Sequence, residues 1–200
     1  MKLALRSCKV CATAIAFLTI SSALHAAPNS PKAQMPQAPA AGMQGQSSVL
    51  KDLTNDWTKQ KATMMAIADA MPEDKFSYKT TPPQRDFGAQ VMHIALVNVQ
   101  LLKILKGNAP APTFTPTSVK TKADMLRALS DSYDYGTALL GEQTDATIIQ
   151  TIQAPAFMGP STRARIFWSL LSHSMDIYGQ MAVYLRMNGV IPPASRNSMP

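Results

Sequence analysis

Apolar residues recur at three- and four-residue steps in four separate stretches of this 200-residue chain, and that spacing predicts four amphipathic helices. Leu50, Leu53, Trp57, Met64, Ile67 and Met71 share one face of the first, about Ser48 to Met71. Ser47 or Ser48 caps it and Pro72 stops it. The second runs from about Asp86 to Lys106 behind Phe87, Val91, Ile94, Leu101, Leu102 and Leu105, with Gly107 as its C-terminal stop. The third, about Thr121 to Leu140, buries Leu126, Leu129, Tyr133 and Leu140, and Thr121 and Asp124 have the spacing of a capping box. The fourth runs from about Ser161 to Met187 behind Ile166, Leu170, Ile177, Met181 and Tyr184, with Gly189 and Pro192-Pro193 ending it. Residues 141–160 fit a short turn of helix or an extended segment equally well. No long alternation of apolar and polar positions appears, so the expected fold is all-α, a four-helix bundle over residues 48–195 with a short tail at 196–200.

The chain's first stretch follows a different pattern. Lys2, Arg6 and Lys9 precede an apolar run from Val10 to Ile20, and small residues follow in "SSALHAAP". The run is short for a membrane span, and the sequence reads as a secretory signal peptide over residues 1–26, cut after Ala26 or Ala27. Residues 27–47 are rich in Pro, Ala and Gln without periodicity and read as a flexible linker. The expected destination is the periplasm or the medium, with no membrane span left after cleavage.

Removing the signal changes the chemistry available. Lys2, Arg6 and Lys9 leave, and the net charge falls by three, from +7 to +4. Cys8 and Cys11 leave too, so the mature chain has neither a disulfide nor a thiol nucleophile. A modest charge with no basic stripe or reading motif excludes nucleic acid as the expected partner. The mature chain keeps two histidines, His93 and His173. Its methionines are scattered along apolar helix faces and read as core filling, and Trp57 and Trp168 read as core anchors. Tyr178 and Gln180 read as helix-packing and inter-helix hydrogen-bonding residues. No Ser-His-Asp order or Gly-rich phosphate loop appears.

The segments "MPEDKFSYKTTPPQRDFGAQVMHIALVN" and "HSMDIYGQMAVYLRMNGVIPPAS", with the helical spacing between them, resemble DinB-like proteins over roughly residues 48–195. These are damage-inducible four-helix bundles, and the resemblance implies a bundle with crossover connections. Many such proteins bind a divalent metal through three histidines, one on the second helix and an H-x-x-x-H pair on the fourth. The resemblance places His93 and His173 on two of those positions and Ile177 on the third. Ile177 has no lone pair to offer. Asp176, three residues after His173, is a chemically acceptable substitute ligand about 60° round the helix on the other side. The resulting candidate metal set is His93, His173 and Asp176, for zinc, nickel or manganese.

Two functional readings follow. The first is an exported bundle with a pocket at the metal position, weak or absent metal, and a binding or non-catalytic role toward a small molecule. The second is a metal-dependent enzyme of the thiol-transferase or hydrolase type that uses His93 and His173. A metal-activated thiolate needs both a complete metal site and a thiol pool, and Ile177 and the signal sequence count against each. A homodimer is open under both readings.

Overall fold

The computed structural model describes residues 48–115 and 119–196; the expected signal peptide, linker and last four residues lie outside the described residues. Four long helices build the fold: α1 (Val49–Ala70), α2 (Phe87–Leu102), α3 (Lys122–Gly141) and α5 (Arg163–Met187), with a single turn, α4 (Asp145–Ile148), between the last two. Each begins on an expected kind of cap. The Ser48 hydroxyl accepts from Lys51 N at 3.0 Å, Asp86 from Ala89 N at 2.7 Å and Thr162 from Arg165 N at 3.2 Å. Thr121 and Asp124 form the full reciprocal box.

Helix α1 packs on α3 and α5, and α2 packs on the same two helices. Consecutive long helices α1 and α2 therefore sit on opposite sides of the bundle, as do α3 and α5. The connections 71–86 and 142–162 cross between them. The periodic faces meet inside: Trp57, Met64, Ile67, Phe87, Ile94, Leu129, Tyr133, Ile166, Phe167 and Leu170 are each fully buried. The second connection uses both conformations open to it. After α4, Thr151 and Ile152 (β1) pair antiparallel with Thr162 and Ser161 (β2) in a two-residue ladder. The α4 residue Asp145 also accepts from Leu50 N at 3.1 Å, which ties the crossover to the start of α1.

Three expectations need correction. Helix α2 stops at Leu102 and tightens to a 3-10 turn over Lys103–Leu105, with Lys106, not Gly107, taking the left-handed conformation at φ 51°. Gly107 answers a different constraint: a Cβ there would stand 2.3 Å from Leu139 Cδ2. Trp168 is 51% exposed and is no core anchor, because it lies on the face of α5 turned away from Ile166 and Leu170. Leu50 and Leu126 are only half-buried. One stretch, Phe87–Leu105, is long and apolar enough to cross a bilayer, but half of its apolar window is buried in the bundle, as a central core helix requires.

The core also encloses polar groups. Trp57 donates from Nε1 to the Tyr133 carbonyl at 2.9 Å, and the Tyr133 hydroxyl shares a 2.8 Å hydrogen bond with Ser174. Burial pushes the Tyr133 phenol from 10.0 up to about 12, against the opposing hydrogen bonds from Ser174 and Asn98. Below pH 10 the phenol is protonated in both folded and unfolded chains, and its contribution to stability is complete. Between pH 10 and 12 the unfolded chain releases the proton first, so stability falls by about 1.4 kcal/mol per pH unit. Urea denaturation at stepped pH checks this. The stability advantage of the parent over Tyr133→Phe is expected to shrink across that window and to stay constant below it.

Candidate functional site

Helices α2 and α5 run antiparallel, and their facing residues pair in order. Phe87 meets Tyr184 with ring centroids 6.0 Å apart, Gln90 donates to Gln180 at 2.8 Å, and His93 meets His173 at 5.0 Å between centroids. The start of α2 fixes this register from one end: the Tyr184 hydroxyl donates to the Arg85 carbonyl, and Asp86 caps the helix immediately after it. Gln90 and His93 are three residues apart and share a helix face.

The two imidazoles cross edge to face, at 78°. Both are half-buried. Burial lowers the His93 pKa, helped by the Arg85 guanidinium and by His173. Burial also lowers that of His173; Asp176 opposes the shift and Arg85 adds to it. Each effect that lowers the two values disfavours the cation and leaves ring lone pairs free to accept or to coordinate. His173 Nε2 is buried and has no hydrogen-bond partner among the described residues. It is the ring atom with unmet bonding capacity at this place.

The structure brings His93 and His173 together and places Asp176 differently. Asp176 is exposed, and its Oδ2 accepts from Gln180 Nε2 at 3.1 Å. Among the described residues, no group of three or more His, Cys, Asp or Glu side chains is arranged to hold a metal ion. Ile177 occupies the turn between His173 and Gln180 and is 2% exposed, packed in the core. A catalytic zinc takes three protein ligands and a structural zinc four. The residues present fit a two-imidazole site and not a complete metal centre.

Asp176 acts on the site through amides. A carboxylate only accepts, so Gln180 turns its Nε2 toward Asp176 and its Oε1 toward α2. That oxygen accepts from Gln90 Nε2 at 2.8 Å and from Gln84 Nε2 at 3.2 Å. The amide orientation thus follows from the network, and it leaves Gln90 Oε1 buried without a partner. Gln84, Arg85 and Gln90 were not candidates from sequence. The signal for Gln90 was present, since it stands three residues before His93 on the same face, but an amide is an ordinary residue until its partner is known. A cavity of about 450 Å³ lies elsewhere, between α2 and the 112–114 segment, and shares no residue with the histidine pair.

The sequence profile of the DinB superfamily matches residues 56–181, more than half of the chain, and the chain belongs to that superfamily. Among solved structures, a DinB-like protein from Bacillus cereus ATCC 10987 superposes with a TM-score of 0.62 at 19% identity, covering 70% of this chain and 93% of the other. A DinB-like protein from Bacillus subtilis superposes with a TM-score of 0.55 at 16% identity, covering 69% and 92%. At these identities the likeness shows the fold. No curated protein matches the chain.

The amide network makes a stability prediction. Gln180→Leu removes the acceptor of the buried Gln90 amide and is expected to cost about 1–3 kcal/mol. Asp176→Asn retains an acceptor at an exposed position and is expected to cost less than about 0.5 kcal/mol. Urea denaturation of both variants, with a double-mutant cycle adding Gln90→Leu, checks the pairing. Additivity of the Gln90 and Gln180 effects within about 0.5 kcal/mol would show that the two amides do not interact.

Proposed function

We propose that this protein is an exported binding protein of the DinB superfamily, whose His93–His173 pair takes a small polar ligand and holds a divalent metal only weakly. The observation that carries the reading is the buried, unpartnered Nε2 of His173 beside the His93 ring, 5.0 Å between centroids. A buried polar atom without a partner is costly, and a ligand that satisfies it gains that energy on binding. Gln90 Oε1, one turn from His93, is a second such atom. Together they suit a ligand that bonds both an imidazole nitrogen and an amide carbonyl.

The binding reading ranks above a metal-dependent transferase or hydrolase because Ile177 holds the place of a third donor. Two imidazoles leave a zinc ion one protein ligand short of the catalytic pattern. Zinc, nickel and manganese are the ions to try, since imidazole suits the first two and carbonyl or carboxylate oxygen suits the third. Location outside the cytoplasm rests on the charged, apolar and small-residue order of residues 1–26.

Calorimetric titration of tag-free protein with each ion tests the site. The parent is expected to bind weakly, and His93→Ala and His173→Ala are each expected to abolish binding. Ile177→His is expected to raise affinity about 100-fold or more, and to raise thermal stability only when metal is present. Tight binding by the parent, equal to that of Ile177→His, would overturn the reading and restore a metalloenzyme with Asp176 or another group as third ligand. The processed N-terminus is expected at residue 27 or 28, and an N-terminus at Met1 found by sequencing the protein from its host would overturn export.

A further inference from the structure

The apolar stripe of α1 has one polar member. Leu53, Trp57, Met64, Ile67 and Met71 follow steps of three and four residues, and position 60 completes the series between Trp57 and Met64. A glutamine stands there. It is 8% exposed, and its Nε2 is buried with no hydrogen-bond partner among the described residues. The other buried amides, Gln90 and Asn98, each donate across the bundle, to Gln180 and Ser132. An apolar residue at position 60 would leave no donor unpaired, so the packing of the fold gives no reason for an amide.

Gln60 lines a cavity of about 260 Å³ between α1 and α5, with Asp56, Lys59 and Thr63 on its own helix and Leu171 opposite. The four α1 residues stand at i, i+3, i+4 and i+7, which is one helix face. Asp56 and Lys59 are exposed, and neither enters an ion pair among the described residues. Leu171 is two residues before His173 and so about 200° round α5 from it. The cavity and the histidine pair therefore lie on different sides of that helix.

We propose that this cavity binds a small zwitterion, a free α-amino acid with an aliphatic side chain. The ligand carboxylate accepts from Lys59 and from the Gln60 amide, which turns about its last side-chain bond to present its N–H. The ligand ammonium donates to the Asp56 carboxylate. The aliphatic side chain lies against Leu171 and the Thr63 methyl. Asp56 and Lys59 are separated by about 4.5 Å of helix rise, which suits a molecule whose two charged groups flank one carbon. The volume falls just below the roughly 300–1,000 Å³ of drug-sized sites, as a single amino acid requires. The charges supply attraction at the rim, and the buried amide fixes the orientation.

NMR titration of the isotope-labelled, processed full-length protein with L-leucine tests this. The controls are 4-methylpentanoate, which lacks the ammonium, and 3-methylbutylamine, which lacks the carboxylate. Leucine is expected to shift the Gln60 side-chain amide saturably and to bind at least tenfold more tightly than either control. Asp56→Ala, Lys59→Ala and Gln60→Leu are each expected to weaken binding at least tenfold. Gln60→Leu is also expected to melt no lower than the parent, because it completes the apolar stripe, and this separates loss of the site from loss of the fold. His93→Ala is expected to bind leucine as the parent does, so the outcome is independent of the function proposed for the histidine pair. No saturable shift up to about 10 mM leucine, ten times a millimolar dissociation constant, would overturn the proposal. Equal binding of either control would overturn it too, as would binding that Gln60→Leu leaves intact or that His93→Ala removes.

Discussion

The contact between Trp57 and Gly136 sets the geometry on which the rest of this bundle depends. The indole of α1 lies so close to α3 that any side chain at position 136 would collide with it, at 2.3 Å for a Cβ. Glycine inside α3 costs roughly 0.5–1 kcal/mol relative to alanine, and the buried indole offsets this. Trp57 packs on Tyr133 at 4.8 Å and edge-on to Phe167 at 5.3 Å, and its N–H is satisfied by the Tyr133 carbonyl. One side chain thereby locks α1 to both α3 and α5. The constraint then passes to the site: Tyr133, held by Trp57, hydrogen-bonds Ser174, and Ser174 neighbours His173. Fixing Ser174 toward α3 fixes the rotation of α5, and that rotation turns His173 toward α2.

The seam between α2 and α5 places more hydrogen-bonding capacity in the interior than it satisfies. Gln90 is fully buried, yet only its amide nitrogen is paired. His173 leaves one ring nitrogen unpaired in the same seam. An apolar pair of similar volume would pack here without that cost, since buried polar groups with half their bonds unmade are worse than none. The Asp176–Gln180–Gln90 order shows how the polarity is maintained: an exposed carboxylate, free of desolvation cost, sets the direction of two amides behind it. The remote acid is a positioning residue in this chain, and the amide oxygen it leaves over faces the interior.

Much of this fold was legible because period and caps agree. Ser48, Thr121 and Asp124 cap where expected, and Leu53, Ile94, Leu129, Ile166 and Leu170 are buried as their spacing requires. What remained hidden depended on partners far away in sequence. Gly107 reads locally as a helix stop, whereas its absent side chain makes room for Leu139, thirty-two residues on. Trp168 has the size of a core anchor, but its position on the α5 wheel, opposite Ile166 and Leu170, points it to solvent. His93 and His173 were legible as a pair through family resemblance. Gln90 was not, because an amide becomes part of a site only through the helix that crosses it. Residues 141–160 stayed ambiguous for a physical reason: four residues of helix and two of strand are each too short to produce a period.

Helix α5 serves the core and the site at once, and this explains why one residue carries so much of the functional question. One side is core, and another faces α2 with His173 and Gln180. Ile177 stands where core and site meet. As isoleucine it contributes roughly 1.5–3 kcal/mol of burial, which a histidine without metal would forgo. A histidine there would complete three imidazoles, so the position trades stability of the metal-free fold against affinity for metal. With isoleucine the position belongs to the core, and among the described residues His173 Nε2 beside it has no hydrogen-bond partner.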